Sequence, residues 1–132
     1  MAIKTFKLKG IVEASDAIGE IQSVKLAAPI SFLLSKMLTP MIEELQHHAE
    51  VRNKALQLLG SPLKDNPNNF EFTKENAVEF TKQMEELDDC EVDFNIVPIE
   101  LSKLGNERIS SATISMLVKM GILVERSEAP KP

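Results

Sequence analysis

The sequence has few aromatic residues, and this limits the surfaces it can present. It contains no tryptophan and no tyrosine, so its six phenylalanines make up the whole aromatic content of 5%. Surfaces that stack nucleic-acid bases, and antibody-like binding patches, draw on tyrosine and tryptophan. We therefore expect neither kind of surface in this protein.

Cysteine and long apolar runs are also scarce. A single cysteine, Cys90, cannot form a disulfide within the chain, and this favours a reducing compartment. No apolar run reaches the roughly 18 residues that a membrane-spanning helix needs. The lysines of the first ten residues are not followed by the apolar segment of a secretory signal. These absences predict an intracellular protein without membrane contact.

Positive charge is outweighed by negative charge. The 15 lysines and arginines face 20 aspartates and glutamates, which gives a net charge of -5 at pH 7. A general nucleic-acid-binding protein needs a basic stripe that displaces counterions from phosphates. We predict no direct binding to nucleic acid.

The composition is that of one globular domain. Of the 132 residues, 43% are hydrophobic and 27% are charged, which is too rich in aliphatic side chains for a disordered protein. No linker or internal repeat divides the sequence. We predict a single domain over residues 1–125 and a polar, proline-rich tail over 126–132.

Hydrophobic periodicity predicts an α+β fold that is mostly α. Helical spacing of apolar residues occurs over about 9–22, 29–59, 74–88 and 111–120. Strands are expected over about 3–9, 70–72, 90–97 and 122–124, with a loop over 60–69. We expect one long kinked helix, two or three shorter helices and a small antiparallel sheet.

The helix over 29–59 is the most unusual of these elements. It would be about 46 Å long at 1.5 Å per residue, and Pro40 is expected to bend it because proline removes a backbone hydrogen bond. The rest of a small domain cannot cover a helix of this length. We predict a homo-oligomer that packs through it, with an oligomer surface made of Leu34, Met37, Met41 and Leu45.

Two histidines in the long helix raise the question of a metal site. Glu44 and His47 have the Glu-x-x-His spacing that di-iron helical bundles use twice. Here the spacing occurs once, so no metal is predicted. The alternative is a solvated helix face on which Glu44 and His48 pair across one turn.

Arg52 lies one turn beyond His48, and two interpretations of it remain open. The first is a surface ion pair with a carboxylate one turn away, worth about 0.2–1 kcal/mol. The second is a bidentate contact between its guanidinium and a phosphate or carboxylate of a ligand or partner. Arg52, His48 and Glu44 are therefore the candidate residues for binding a ligand or partner.

No catalytic constellation is visible in the sequence. No serine lies in a nucleophile elbow, and no glycine-rich phosphate loop occurs. Carboxylates on both sides of Cys90 disfavour a reactive thiolate, so this residue is expected to be a small buried hydrophobe. We predict a protein that is not an enzyme and that has no cofactor.

An acidic run over residues 85–93 closes the predicted helix over about 74–88, where the helix dipole disfavours negative charge. Local inconsistencies of this kind sometimes mark a functional site. A surface for a basic partner and a solubilising turn both explain the run.

Several segments occur in a recognisable order. Residues 26–31 precede the long acidic helix, Glu85 to Leu87 leads into the alternating strand, and the segment Pro98 to Leu101 is followed by a closing helix from Ile109. Over about residues 8–125 this order resembles a widespread family of small tailed-phage proteins, most without an assigned function. Pro40 departs from the pattern. The resemblance implies a phage or prophage origin and supplies no functional residues.

Two functions are consistent with these expectations. The first is a phage-encoded, non-enzymatic counter-defence or host-takeover factor in the bacterial host cytoplasm. Such a factor would bind a host protein or sequester a small anionic signal at Arg52. The alternative is a virion structural component or assembly factor, such as a minor tail protein, a connector protein or an assembly chaperone.

Overall fold

The computed structural model describes residues 2–66, 69–105 and 107–125, in which helices and short strands follow one another as the sequence predicts. The helices are α1 (Leu8–Glu13), α2 (Ser15–Ser23), α3 (Ala28–Leu59), α4 (Lys74–Asp88) and α5 (Ser111–Met120). The strands are β1 (Ala2–Lys7), β2 (Gly60–Pro62), β3 (Phe70–Phe72), β4 (Glu91–Ile96), β5 (Ile99–Glu100) and β6 (Leu123–Val124). A 3-10 turn covers Leu101–Leu104. The fold is α+β and mostly α, and the polar tail predicted over 126–132 lies outside the described residues.

Side-chain caps explain where α4 and α5 begin, and a glycine explains where α5 ends. The Thr73 hydroxyl accepts a hydrogen bond from the Asn76 backbone N–H at 3.1 Å, and the Ser110 hydroxyl accepts one from the Thr113 N–H at 3.2 Å. Each gives an acceptor to a backbone donor that the helix leaves unpaired. Helix α5 ends at Gly121, whose φ of 84° is the left-handed conformation that favours glycine. The helices predicted over about 74–88 and 111–120 are confirmed.

Helix α3 runs without interruption from Ala28 to Leu59 and contains Pro40. At about 1.5 Å per residue, its 32 residues give a length of about 48 Å. The proline removes one backbone hydrogen bond without ending the helix, and the bend at this position stays a prediction. No helix in the described ranges combines the length and the hydropathy needed to cross a bilayer.

The first predicted helix and the predicted loop differ from the structure in detail. The segment expected to form one helix is divided at Ala14 into α1 and α2. In the predicted loop, Gly60 to Pro62 pair in antiparallel register with Phe70 to Phe72. Gly60 permits this close approach, since a Cβ there would lie 3.1 Å from the Phe70 Cβ.

The small antiparallel sheet is present as two separate ladders. Strands β1 and β4 pair from Ala2 opposite Ile96 to Lys7 opposite Glu91, and β2 pairs with β3. Strands β5 and β6 form a third, parallel pair. The strands predicted near the N-terminus and after α5 therefore have different partners from each other.

The hydrophobic core lies between the first half of α3, the helices α1, α2 and α5, and the strands β4 to β6. Its largest fully buried side chains are Ile11, Ile18, Ile21, Leu38, Met41, Ile96, Leu117, Ile122 and Leu123. All of them precede residue 42 or follow residue 95. The stretch between these two groups contributes little to the core.

The oligomer surface predicted on α3 is wrong. Leu34, Met37 and Met41 are 4%, 3% and 0% exposed, because α3 turns these side chains into its own core. Leu45 is partly buried and packs against the same cluster. Helical periodicity identified the apolar stripe correctly, but the stripe is covered by the rest of the chain.

The prediction that Cys90 is buried is also wrong. The residue is exposed because it lies in the turn between α4 and β4, one residue before the strand pairing begins. Its thiol donates a hydrogen bond to the Glu86 carbonyl oxygen at 3.5 Å. The alternation of buried and exposed residues begins inside β4, where Phe94 and Ile96 are buried.

Candidate functional site

The second half of α3 pairs with α4 beyond the core. We call the described residues of 46–88 the arm; it comprises the end of α3, the β2–β3 hairpin and α4. At one end of the arm, the Asn76 side-chain amide donates to the Leu59 carbonyl oxygen at 2.9 Å. In the middle, the rings of Phe72 and Phe80 lie 5.1 Å apart, centroid to centroid. The Asn76 contact joins α4 to the end of α3, and the ring contact joins α4 to the hairpin between the two helices.

His48 and Asp88 join the two helices at the other end of the arm. The His48 Nε2 lies 2.9 Å from the Asp88 Oδ1, and the two side chains are 11% and 34% exposed. An ionised carboxylate only accepts hydrogen bonds, so the imidazole Nε2–H is the donor. The ring of His48 therefore pairs with Asp88, forty positions away, and not with Glu44 as the sequence suggested.

Arg52 lies over an aromatic ring on the facing helix. Its guanidinium carbon is 6.0 Å from the centroid of Phe80, within the range of a cation–π contact. The residue is exposed, and none of the described carboxylates forms an ion pair with it. Of the two interpretations of Arg52, the ion pair within α3 is not formed; the side chain contacts Phe80 on α4 and stays exposed to solvent.

Glu44 does not join this group. It is partly buried, and within the described ranges no side chain donates a hydrogen bond to it. Of the three candidate binding residues, the structure brings His48 and Arg52 onto the α4 side of α3 through different partners. Sequence reasoning missed Asp88 and Phe80, because both lie on a helix whose pairing with α3 the sequence does not specify.

Three of the six carboxylates in the acidic run make contacts with their own chain. Asp88 accepts from His48, Asp89 lies 3.4 Å from the Lys7 ammonium, and Asp93 accepts from the Thr5 hydroxyl at 2.5 Å. The Lys7 pair is 60% and 69% exposed, so it contributes little. These contacts offset the unfavourable charge at the end of α4, which neither interpretation of the run anticipated.

A metal site is not assembled at these residues. In the part of the chain that the structure describes, no group of three or more histidine, cysteine, aspartate or glutamate side chains is placed to hold an ion. The spacing of Glu44 and His47 is therefore not completed by carboxylates from another helix.

Glu20 is a further polar residue that sequence reasoning missed. Its carboxylate accepts a hydrogen bond from the Ser110 backbone N–H at 2.8 Å, at the beginning of α5. This hydrogen bond is the main reason why the pKa of Glu20 is lowered from its ordinary value of 4.5. The contact ties α2 to α5 and serves the fold.

A cleft lies apart from the arm, between the end of α2 and the first turns of α3. It encloses about 240 Å³. Its lining residues are Ile21, Gln22, Val24, Leu26, Ser31, Leu34, Ser35 and Leu38. None of these side chains is charged, and neither Arg52 nor His48 reaches the cleft. It does not provide the cations that a small anionic ligand requires.

The arm also carries apolar side chains that its own chain leaves uncovered. Val51, Leu58 and Val78 are 46%, 82% and 66% exposed. Helix α4 has no buried residue, and Ala55 is the only buried hydrophobic in the described part of the arm. Apolar surface of this kind is typical of interaction sites.

Comparison of the chain with protein-family models, curated proteins and solved structures gives no match. The resemblance to small tailed-phage proteins therefore stays a prediction.

Proposed function

We propose that this chain is a phage-encoded, non-enzymatic binding protein that works as a homo-oligomer in the bacterial host cytoplasm. Its arm makes the contact with a host protein, as expected of a counter-defence or host-takeover factor. The observation that carries the proposal is the exposure of Leu58 and Val78 on the arm, which holds three of the six exposed large apolar side chains among the described residues. Uncovered apolar residues lower the free energy of a complex when a partner removes them from water.

Two of the polar side chains that the sequence singled out on α3 make contacts within the arm. His48 is bound to Asp88, and Arg52 lies over Phe80. Both contacts hold the arm together and so shape a surface.

Affinity purification from host cells that produce the protein tests this proposal. The bait proteins are the wild type, Val78→Asp on the arm, and Phe32→Asp as a matched control, since Phe32 is 62% exposed on α3 outside the arm. We expect one host protein to co-purify with the wild type and the control and to be lost with Val78→Asp. Recovery of the same proteins with all three baits would contradict a role for the arm.

A second candidate function is sequestration of a small anionic signal. The observation in its favour is Arg52, whose exposed guanidinium has no carboxylate partner among the described residues. Native mass spectrometry of protein purified from infected cells would then show added ligand mass. That mass should be absent from Arg52→Ala and present in Lys64→Ala, which removes another exposed cation of the arm. Equal occupancy in both variants would rule out Arg52 as the binding residue.

The alternative of a virion component or assembly factor uses the same long helix as a packing element. Support for it comes from the length of α3, about 48 Å, of which the second half lies outside the core. Mass spectrometry of purified particles tests this alternative. Detection of the chain at a fixed copy number would favour the virion role over a cytoplasmic one.

A further inference from the structure

Three residues of the arm form one exposed face of α3. Val51, Lys54 and Leu58 recur at spacings of three and four, which places them on the same side of a helix. Val51 is 46% exposed and Leu58 is 82% exposed, and Lys54 is exposed between them. Glu50 lies at the edge of this side, one turn before Lys54. We call these four residues the outer face of α3.

Charge is separated along this part of the helix. The exposed carboxylates Glu43 and Glu50 precede Val51, whereas the exposed cations Arg52 and Lys54 follow it. Arg52 points toward Phe80 on α4 and so away from the outer face. The outer face therefore has Glu50 at its acidic end and Lys54 at its basic end. Val51 lies between these two residues, and Leu58 lies beyond Lys54.

A face of this kind is complementary to itself in one orientation only. When two copies lie antiparallel, the acidic end of each meets the basic end of the other, whereas a parallel arrangement brings like charges together. A two-fold axis near residue 52 places Glu50 opposite Lys54 of the second copy, and the symmetry makes this contact twice. The two Val51 side chains meet close to the axis.

We infer that the outer face of α3 is the site at which a second copy of this chain docks, antiparallel, through Val51, Leu58 and two Glu50–Lys54 contacts. The inference rests on the homo-oligomer of the proposed function. It assigns the contact between copies to the outer face of α3, since the surface predicted from the sequence is buried in the core. One helix face per copy buries less area than a standard stable interface. The dimer is therefore weak and concentration-dependent.

Charge reversal tests the pairing directly. Sedimentation equilibrium is measured over a range of concentrations for the wild type, Glu50→Lys, Lys54→Glu and an equimolar mixture of the two variants. In either variant alone, like charges face each other twice, and we expect the dissociation constant of the dimer to rise about tenfold or more. In the mixture, one chain is positive at both positions and the other is negative at both. Both contacts then join opposite charges again, so heterodimers should form with about wild-type affinity.

The mixture separates this interface from effects within one helix. Glu50 and Lys54 also lie one turn apart in the same chain, and mixing two variants cannot restore that contact. Lys119→Glu, on α5, is the matched control because Lys119 is exposed outside the arm, and we expect its own dimerisation to be unchanged. In its mixture with Glu50→Lys, one of the two contacts joins opposite charges and the other still joins like charges. This heterodimer should therefore stay weaker than the wild-type dimer. Circular dichroism verifies that all variants are folded.

Two results would overturn the inference, and they differ in meaning. A wild-type protein that stays monomeric at every concentration would remove both the docking site and the proposed homo-oligomer. An oligomer that neither variant weakens, or that the mixture fails to restore, would remove the outer face as the site and leave the homo-oligomer in place.

Discussion

Helix α3 passes through two regions of the molecule that are stabilised in different ways. Up to Met41 its buried residues belong to a core in which Leu38 and Met41 are fully buried. Beyond Leu45 the same helix is held to α4 by single contacts, such as His48 with Asp88 and Arg52 over Phe80. The core is stabilised by the exclusion of water from many side chains, and the arm by a small number of specific pairs.

This difference determines how each region responds to change. Burial of apolar area contributes about 25 cal/mol per Å², and a cavity in a closely packed core adds to the loss. A region with few buried contacts can open locally while the rest of the protein stays folded. We therefore expect changes in the core to act on the whole molecule and changes in the arm to act on the arm.

The largest effect is expected from Leu38→Ala in the core. The side chain is 0% exposed, so its truncation should lower the free energy of unfolding by about 2–5 kcal/mol. Urea denaturation measures this change. Leu58→Ala, a leucine of the same helix that is 82% exposed, is the control and should change it by less than about 0.5 kcal/mol. Similar losses for both variants would mean that the arm is as well packed as the core.

A smaller and local effect is expected from Phe80→Ala in the arm. The change removes the ring contact with Phe72 and the support for Arg52, at a cost of about 1–3 kcal/mol for a half-buried aromatic side chain. Hydrogen exchange should become faster in α4 and at the end of α3, while the amides of α5 keep their protection. Faster exchange in α5 by the same factor would show that arm and core unfold as one unit.

The hydrogen bond between His48 and Asp88 should contribute less to the free energy of unfolding than the aromatic contacts of the arm. His48→Phe is expected to lower the free energy of unfolding by about 1 kcal/mol, since phenylalanine keeps a ring but cannot donate the partly buried hydrogen bond to Asp88. His47→Phe is the matched control, because the neighbouring histidine is exposed. A double-mutant cycle with Asp88→Asn measures the coupling between the two side chains, and a coupling near zero would contradict the contact.

The smallest effect is expected for the exposed polar contact between α2 and α5, and this effect should disappear in acid. The pKa of Glu20 is lowered in the folded state by the Ser110 N–H, so its stabilising contribution is fully present above its ordinary pKa of 4.5. The contribution is lost as the pH falls through the lower folded-state pKa. The difference in unfolding free energy between the wild type and Glu20→Gln should shrink across that range in chemical denaturation. A difference that stays constant with pH would contradict the contact.

Local signals in the sequence predicted much of the fold. Thr73, Ser110 and Gly121 each act within one turn of a helix end, so the beginnings of α4 and α5 and the end of α5 follow from residue chemistry. Alternation predicted β4, and the apolar stripe of α3 was identified residue by residue. What the stripe contacts was not predictable, because periodicity shows that a face is apolar and not which element covers it.

The candidate site was less predictable than the fold. His48 and Arg52 were selected from α3 alone, and their observed partners, Asp88 and Phe80, lie on a helix that follows after the hairpin. The β2–β3 pairing brings α4 back alongside α3. This pairing requires a glycine at position 60, because a Cβ there would lie too close to Phe70. An interaction of this kind depends on the path of the chain in space, which a single sequence does not specify.

The pairing of β1 with β4 has a consequence for the order in which the protein matures on the ribosome. Synthesis proceeds from the N-terminus, so β1, α2 and the first half of α3 emerge while β4 and α5 are still missing. Ile18 and Leu38 are both buried in the complete core. They stay exposed to water during synthesis until β4 and α5 have been made. In the sequence, the arm lies between the first and second parts of the core, and nearly all of its contacts join residues of the arm to each other. The arm, which is expected to be the less stable region, can thus form before the core is complete.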